Sequence, residues 1–191
     1  LWCKEEIARI IAKFHKVQNN KFGYIQNQLY DNWHIALRSM TLNLIHDTER
    51  VGRKTKRGEK LLKYIDEHKD ILESVTCSMV NFDMWYGNIL CTRKNDKLEL
   101  IVIDPERTVW GDSIFDFVNL EFEKMLNKKA TSLIAYNETA KIEVNGTKEE
   151  MIRFALGLGY LALIQETEKY YRYTPCHFCL LYTSDAADDL I

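Results

Sequence analysis

Residues 81–90 of the chain are NFDMWYGNIL, and residues 101–106 are IVIDPE. Within these stretches Asp83 precedes Asn88, and an apolar run then leads to Asp104. Phosphoryl transfer requires a carboxylate that meets the attacking hydroxyl, and oxygen ligands that hold a magnesium ion against the phosphates. Magnesium takes a few hard oxygen ligands together with waters, which an Asn and an Asp supply. The order therefore predicts a catalytic Asp83, with Asn88 and Asp104 as ligands of Mg²⁺ and, through it, of a nucleotide.

A hairpin is expected to bring these groups together. Residues 89–92 and 98–103 are β-prone apolar runs, and the polar residues 93–97 between them predict the turn. Pro105 is expected to hold Asp104 in extended backbone and to end the second strand. Residues 76–80 predict a short strand that leads into the stretch 81–90.

The order of these motifs resembles the C-terminal lobe of the aminoglycoside phosphotransferase family, small-molecule kinases that share a fold with protein kinases. The family's catalytic loop, roughly His-x-Asp-x-x-x-x-Asn-Ile-Leu, has its counterpart in residues 81–90. Its strand end, Ile-Asp-x-Glu, has a counterpart in residues 103–106. A third motif, Gly-Asp-x-x-x-Asp before a helix, is matched by Gly111, Asp112 and Asp116. Three linked motifs in order are far more specific than any one of them.

The resemblance extends from about residue 1 to about residue 173. It implies an α+β, mainly helical fold, the C-terminal lobe of the protein-kinase-like fold, with a short β-hairpin that carries the catalytic and metal-binding loops. It also implies transfer of the γ-phosphate of ATP or GTP to a hydroxyl of a small molecule, with Mg²⁺ as the cofactor. A Gly-rich phosphate loop and a strand Lys are not found upstream. We therefore expect residues 1–178 to be this lobe alone, inactive without the N-terminal nucleotide lobe.

Asn81 stands where the family pattern has His. An Asn amide both donates and accepts, so we expect it to keep the backbone-bracing role of a neutral His. The replacement favours one alternative, a catalytically silent pseudokinase or nucleotide-binding module. A further alternative is a helical interaction protein whose acidic residues only cap helices.

Several other residues have expected roles near the site. Glu106, Trp85 and Trp110 are candidates to contact the substrate or to support the site, with ordinary surface or packing roles as the alternatives. Asp112 and Asp116 are predicted to be structural acids. Acidic groups where a helix starts satisfy free N–H groups and the helix dipole.

Apolar residues at helical spacing predict five helices, at about residues 3–17, 31–50, 59–73, 113–126 and 148–171. The last segment is apolar on nearly all sides, which predicts a central core helix. His15 and His34 lie on or beside apolar stripes, and each is predicted to be an ordinary helix histidine.

The 191 residues include 26 basic and 28 acidic residues, a net charge of −2 that gives no nucleic-acid or membrane footprint. No stretch approaches the ~18 to 20 apolar residues of a membrane helix. We therefore expect neither nucleic acid nor membrane as a partner. The resemblance implies a nucleotide and a small-molecule hydroxyl acceptor as partners, and we expect a cytoplasmic protein. Cys3, Cys77 and Cys91 lack metal-ligand spacing and are expected to be small packing residues.

Residues 179–191 resemble a sequencing adapter translated as protein, and we expect a non-native read-through tail without a packed role. The metal-like spacing of Cys176-His177-Phe178-Cys179 consequently supports no metal prediction, because it overlaps this tail.

Overall fold

The computed structural model describes residues 2–95, 97–122 and 125–172, which form an α+β, mainly helical structure. The helices are α1 (Trp2–His15), α2 (Trp33–Arg50), α3 (Lys56–Glu67), α4 (Lys69–Glu73), α5 (Phe115–Leu120), α6 (Thr131–Asn137) and α7 (Lys148–Arg172). The strands are β1 (Gly23–Tyr24), β2 (Cys77–Val80), β3 (Ile89–Lys94), β4 (Lys97–Val102) and β5 (Val109–Asp112). Single 3₁₀ turns lie at Tyr86–Asn88 and Pro105–Arg107. The predicted tail and the segment 176–179 lie outside the described residues.

The strands form two small antiparallel sheets. One has the order β1-β5-β2, with Met79 opposite Trp110, and the other is the β3-β4 hairpin, with Ile89 opposite Val102. The three-stranded sheet ends where residues 81–90 begin, and the hairpin starts where they end. The site loop is therefore fixed at both ends by hydrogen-bonded strands.

The loop is also anchored in the apolar core. The Phe82 side chain is fully buried, with its ring centroid 5.2 Å from that of Phe115 and 5.7 Å from that of Tyr160. Trp33 of α2 meets Phe115 edge to face at 5.0 Å. Because α2, α5 and α7 all contribute to this aromatic cluster, packing of the helices positions the loop.

Local signals explain the main helix boundaries. Asn32 caps α2 by accepting from the Ile35 amide at 2.9 Å, and Thr55 caps α3 in the same manner. Helix α7 begins with a capping box, in which Thr147 accepts from the Glu150 amide and the Glu150 carboxylate accepts from the Thr147 amide at 2.8 Å. These bonds satisfy amides that have no partner within a helix.

The structure corrects three local predictions and adds three elements that were not predicted. The helix expected at 59–73 is two helices, because the backbone at His68 (φ −110°, ψ 26°) leaves the helical range. The helix expected at 113–126 ends at Leu120, and α6 was not predicted. The predicted turn 93–97 is shorter, since Arg93 and Lys94 pair with β4. Strands β1 and β5 were also missed.

Cys77 is buried and Cys3 is partly buried, whereas Cys91 lies exposed on β3, so the packing role predicted for Cys91 is wrong. In the described part of the chain, no helix has both the length and the apolar character needed to cross a membrane.

Candidate functional site

The side chains of Asp83 and Asn88 are in direct contact. The Asn88 amide nitrogen donates to the Asp83 carboxylate at 2.9 Å and to the Asp83 backbone carbonyl at 3.1 Å. A 3₁₀ turn over Tyr86–Asn88 reverses the chain and makes this contact between residues five positions apart possible. Since the nitrogen of the amide is used, its oxygen is left for another partner.

The hairpin places Asp104 next to this pair. The backbone carbonyl of Asn88 accepts from the backbone amide of Ile103 at 2.9 Å, which continues the β3-β4 ladder one step toward the loop. Asp104 is the next residue along the chain. Burial is the largest cause that raises the pKa of Asp83, and the charges of Asp104 and Glu106 raise it further. The predicted trio therefore lies at one end of the hairpin, with Asp104 exposed and Asn88 largely buried.

Left-handed backbone occurs on both sides of the site. Among the described residues other than glycine, Phe82 (φ 58°), Asn95 (φ 48°) and Asp104 (φ 57°) have positive φ. The prediction that Pro105 holds Asp104 in extended backbone is therefore wrong. Asp tolerates this region better than most residues, and the turn lets the chain pass at once from β4 into the 3₁₀ turn at Pro105. Such conformations collect at functional sites, where the surroundings hold them in place.

A buried carboxylate from α5 holds the strained start of the loop. Asp116 is fully buried and accepts from the backbone amides of Asn81 at 3.2 Å and Phe82 at 2.6 Å. His15 Nε2 lies 3.0 Å from the same carboxylate, and His15 Nδ1 lies 2.9 Å from the Tyr136 hydroxyl. Because a carboxylate only accepts, Nε2 carries the proton that bonds Asp116. Asp116 thus supports the loop itself, in addition to its place in a helix.

Asn81 also braces the loop. Its side-chain oxygen accepts from the backbone amide of Asp83 at 3.0 Å, while the backbone amide of Asn81 donates to the Asp116 carboxylate. Asn119 of α5 donates to the Phe82 carbonyl at 2.9 Å. The backbone that leads into Asp83 is therefore tied down, and Asn81 acts on Asp83 itself.

Arg107 is a charged neighbour of Asp83 that the motifs did not single out. Its Nε lies 3.9 Å from the Asp83 carboxylate, and its Nη2 donates to Glu168 of α7 at 2.7 Å. Burial raises the pKa of Asp83, while the charge of Arg107 and the bond from Asn88 lower it. The result is a carboxyl with a pKa above its ordinary value, which makes the carboxylate a better proton acceptor.

A cleft of about 260 Å³ opens beside Arg107, between α2, α7 and the turn after β1. Its polar lining includes Tyr24, Asn43, Arg107, Tyr160 and Glu168. The hydroxyls of Tyr24 and Tyr160 are 3.3 Å apart. The cleft thus adjoins the candidate catalytic carboxylate through a single side chain.

The other predicted residues have mixed surroundings. Trp85 and Glu106 are exposed at the site, whereas Trp110 is partly buried in β5 against the core. The Trp85 ring lies over Gly87, where an added Cβ atom would clash with it. Asp112 is fully buried and accepts from Arg153 at 2.7 Å and from the Ile114 amide at 3.1 Å.

The metal prediction depends on Asn88 and Asp104 alone. The described residues contain no cluster of three or more His, Cys, Asp and Glu side chains suited to a metal. Two oxygen ligands nevertheless match magnesium, which keeps several waters and shares substrate phosphates. The free amide oxygen of Asn88 and the exposed carboxylate of Asp104 fit that pattern.

Long-range pairings explain why several site residues were not predicted. His15 meets Asp116 across 101 positions, and Arg107 meets Glu168 across 61 positions. No periodicity links such residues. The only available signal for Arg107 was its place directly after the stretch 101–106.

Comparisons of the chain with protein-family models and with curated proteins found no match.

Proposed function

We propose that this chain is the C-terminal lobe of a magnesium-dependent phosphotransferase, which moves the γ-phosphate of ATP or GTP to a hydroxyl of a small molecule. The observation that supports it best is the contact between Asp83 and Asn88 at the end of the hairpin that leads to Asp104. This arrangement is compatible with a proton acceptor at Asp83 and with two hard oxygen ligands at Asn88 and Asp104. The described fold, mainly helical with two small antiparallel sheets, is compatible with the kinase-like lobe that the motifs resemble.

In this proposal Asp83 orients the acceptor hydroxyl and takes its proton as the oxygen attacks. Its backbone is held through Asn81 and Phe82, so the carboxylate direction is fixed before substrate arrives. Asn88 and Asp104 would hold the magnesium, which when bound neutralises charge on the nucleotide phosphates. Arg107 limits the charge that accumulates where three carboxylates lie close together.

Asn81 also supports a second candidate, a pseudokinase that binds nucleotide without transferring phosphate. An observation against the pseudokinase is that the side-chain oxygen of Asn81 already accepts a hydrogen bond from the Asp83 backbone amide, which is the bracing contact. If Asn81 braces the loop less well than His, the loss is about one hydrogen bond, roughly 0.5–1.5 kcal/mol of stability at the loop, and phosphate transfer is kept. In the full-length protein, Asn81→His should therefore change turnover only modestly. A silent protein that this substitution activates would establish the pseudokinase.

Metal binding provides the test of the site itself. We expect Mn²⁺, used as a paramagnetic substitute for Mg²⁺, to broaden the NMR signals of Asn88 and of residues 103–106 first. Asp104→Asn should weaken this broadening strongly, because it removes the charged ligand. Asp31→Asn is the matched control, since Asp31 is an exposed carboxylate paired with Lys21 away from the site. Broadening elsewhere, or equal broadening in Asp104→Asn, would favour the helical interaction protein.

A further inference from the structure

We propose that the cleft between α2 and α7 binds a small uncharged polyol, such as a single-ring sugar or cyclitol, and presents one of its hydroxyls to Asp83. The inference rests on the proposed function, because it names the class of acceptor for that site. It depends on the position, charge balance, hydrogen-bonding capacity and size of the cleft.

The position of the cleft connects it to the chemistry. Arg107 lines the cleft and lies 3.9 Å from Asp83, and Tyr24 and Tyr160 line it as well. Met40, Leu44 and Ile164 add apolar surface. A ring with C–H groups on its faces and hydroxyls at its rim suits such a mixed lining.

The charged groups of the cleft are already paired with one another. Glu168 accepts from Arg107 at 2.7 Å and lies 3.6 Å from Arg172, while Asp47 forms an ion pair with Arg50. No lining carboxylate or guanidinium among the described residues is left without an opposite charge. A cationic or anionic ligand would have to displace one of these partners, and a neutral ligand would not.

The uncommitted polar groups both donate and accept hydrogen bonds. The side-chain amides of Asn27 and Asn43 have no partner among the described residues. Burial raises the pKa of Tyr24 and of Tyr160, so both hydroxyls stay protonated, and their mutual bond uses only one of the two protons. Amides and hydroxyls complement ligand hydroxyls, which also do both. An ammonium only donates and a carboxylate only accepts, so each would use half of this capacity.

The volume of the cleft limits the size of the ligand. The volume of about 260 Å³ lies just below the ~300–1,000 Å³ of typical ligand sites. A single six-membered ring fits this space, and a two- or three-ring molecule does not fit without extending into solvent.

Three sugars of one shape test the charge argument. Glucose, glucosamine and glucuronate, which are neutral, cationic and anionic at neutral pH, would each be titrated into the ¹⁵N-labelled chain. We expect glucose to shift the side-chain amide signals of Asn27 and Asn43 and to bind at least as tightly as the charged sugars. Asn43→Leu should weaken glucose binding about five- to tenfold, the loss of one hydrogen bond. Tyr24→Phe, which removes only a hydroxyl, should weaken it to a similar extent.

Asn20→Leu is the matched control, because Asn20 is exposed and does not line the cleft. Tighter binding of a charged sugar, glucose binding that Asn43→Leu leaves unchanged, or no binding of any of the three would overturn the inference. Phosphate transfer separates it from the proposed function. Glucose binding without transfer by the full-length protein would contradict the function and leave the cleft assignment standing. Phosphate transfer to a charged acceptor, without glucose binding, would support the function and contradict the cleft assignment.

Discussion

Removal of the Asp116 carboxylate should release the loop that carries Asp83 from the hydrogen bonds that hold its backbone. Asp116 is fully buried and receives three hydrogen bonds, from the amides of Asn81 and Phe82 and from His15. Phe82 sits at φ 58°, a conformation that its neighbours must hold. The same carboxylate therefore supports both the stability of the fold and the geometry of the site.

The magnitude follows from these bonds. A hydrogen bond to a charged group contributes ~1.5–3 kcal/mol, and donors left unpaired in the interior add to the loss. We expect Asp116→Ala to lower the free energy of unfolding by about 3–5 kcal/mol. Asp116→Asn should lower it by about 2–3 kcal/mol, because its NH₂ group would face the amide of either Asn81 or Phe82.

Urea unfolding followed by tryptophan fluorescence, to which the buried Trp33 contributes, measures both changes. The control Asp31→Asn should stay within ~0.5 kcal/mol of the parent, since its carboxylate is exposed. The reasoning would be refuted by an Asp116→Asn protein as stable as the control, since the loop would then not depend on this carboxylate.

Further predictions concern packing, capping and thiol reactivity. Gly111→Ala should cost ~1–3 kcal/mol in the same urea assay, because its Cβ would lie 2.9 Å from the fully buried Trp33 ring; no loss would mean that this ring can move aside. Thr147→Ala should lower stability by about 1 kcal/mol through loss of the α7 cap, and an unchanged denaturation midpoint would contradict the capping box. Exposed Cys91 should be alkylated by iodoacetamide in the folded chain, whereas burial raises the pKa of Cys77 to about 11 and should protect it until unfolding; peptide mass mapping that finds Cys77 modified first would contradict this burial.

Features of the fold that depend on local chemistry were predictable from the sequence. The hairpin followed from two β-prone runs, and α7 followed from a segment apolar on nearly all sides. Strands β1 and β5 were not predictable in the same way, because each is short and gains its stability from partners distant in the chain. The break at His68 was missed since the apolar spacing continues across it.

In the site too, features encoded by local sequence were predictable, and features that depend on distant packing were not. Asp83 and Asn88 lie just before the β3-β4 hairpin and Asp104 lies just after it, so sequence reasoning was able to predict that the hairpin brings these segments to one end. The left-handed backbone of Asp104 depends on how the chain must turn, and propensity alone favoured extended backbone before a proline. The partnership of Arg107 with Glu168 depends on the packing of α7, which no local pattern encodes.

The most direct test of the account is the rate of γ-phosphate transfer from Mg-ATP or Mg-GTP by the full-length protein. It would be measured against a panel of sugar, amino-alcohol and aminoglycoside acceptors, with Asp31→Asn as the control. We predict transfer to at least one acceptor, at a rate that Asp83→Asn lowers by ~10²- to 10⁴-fold, as for loss of a positioned base. The control should leave this rate unchanged. An Asp83→Asn protein that keeps its rate within about threefold, or a parent silent with every acceptor, would contradict the proposed role of this site.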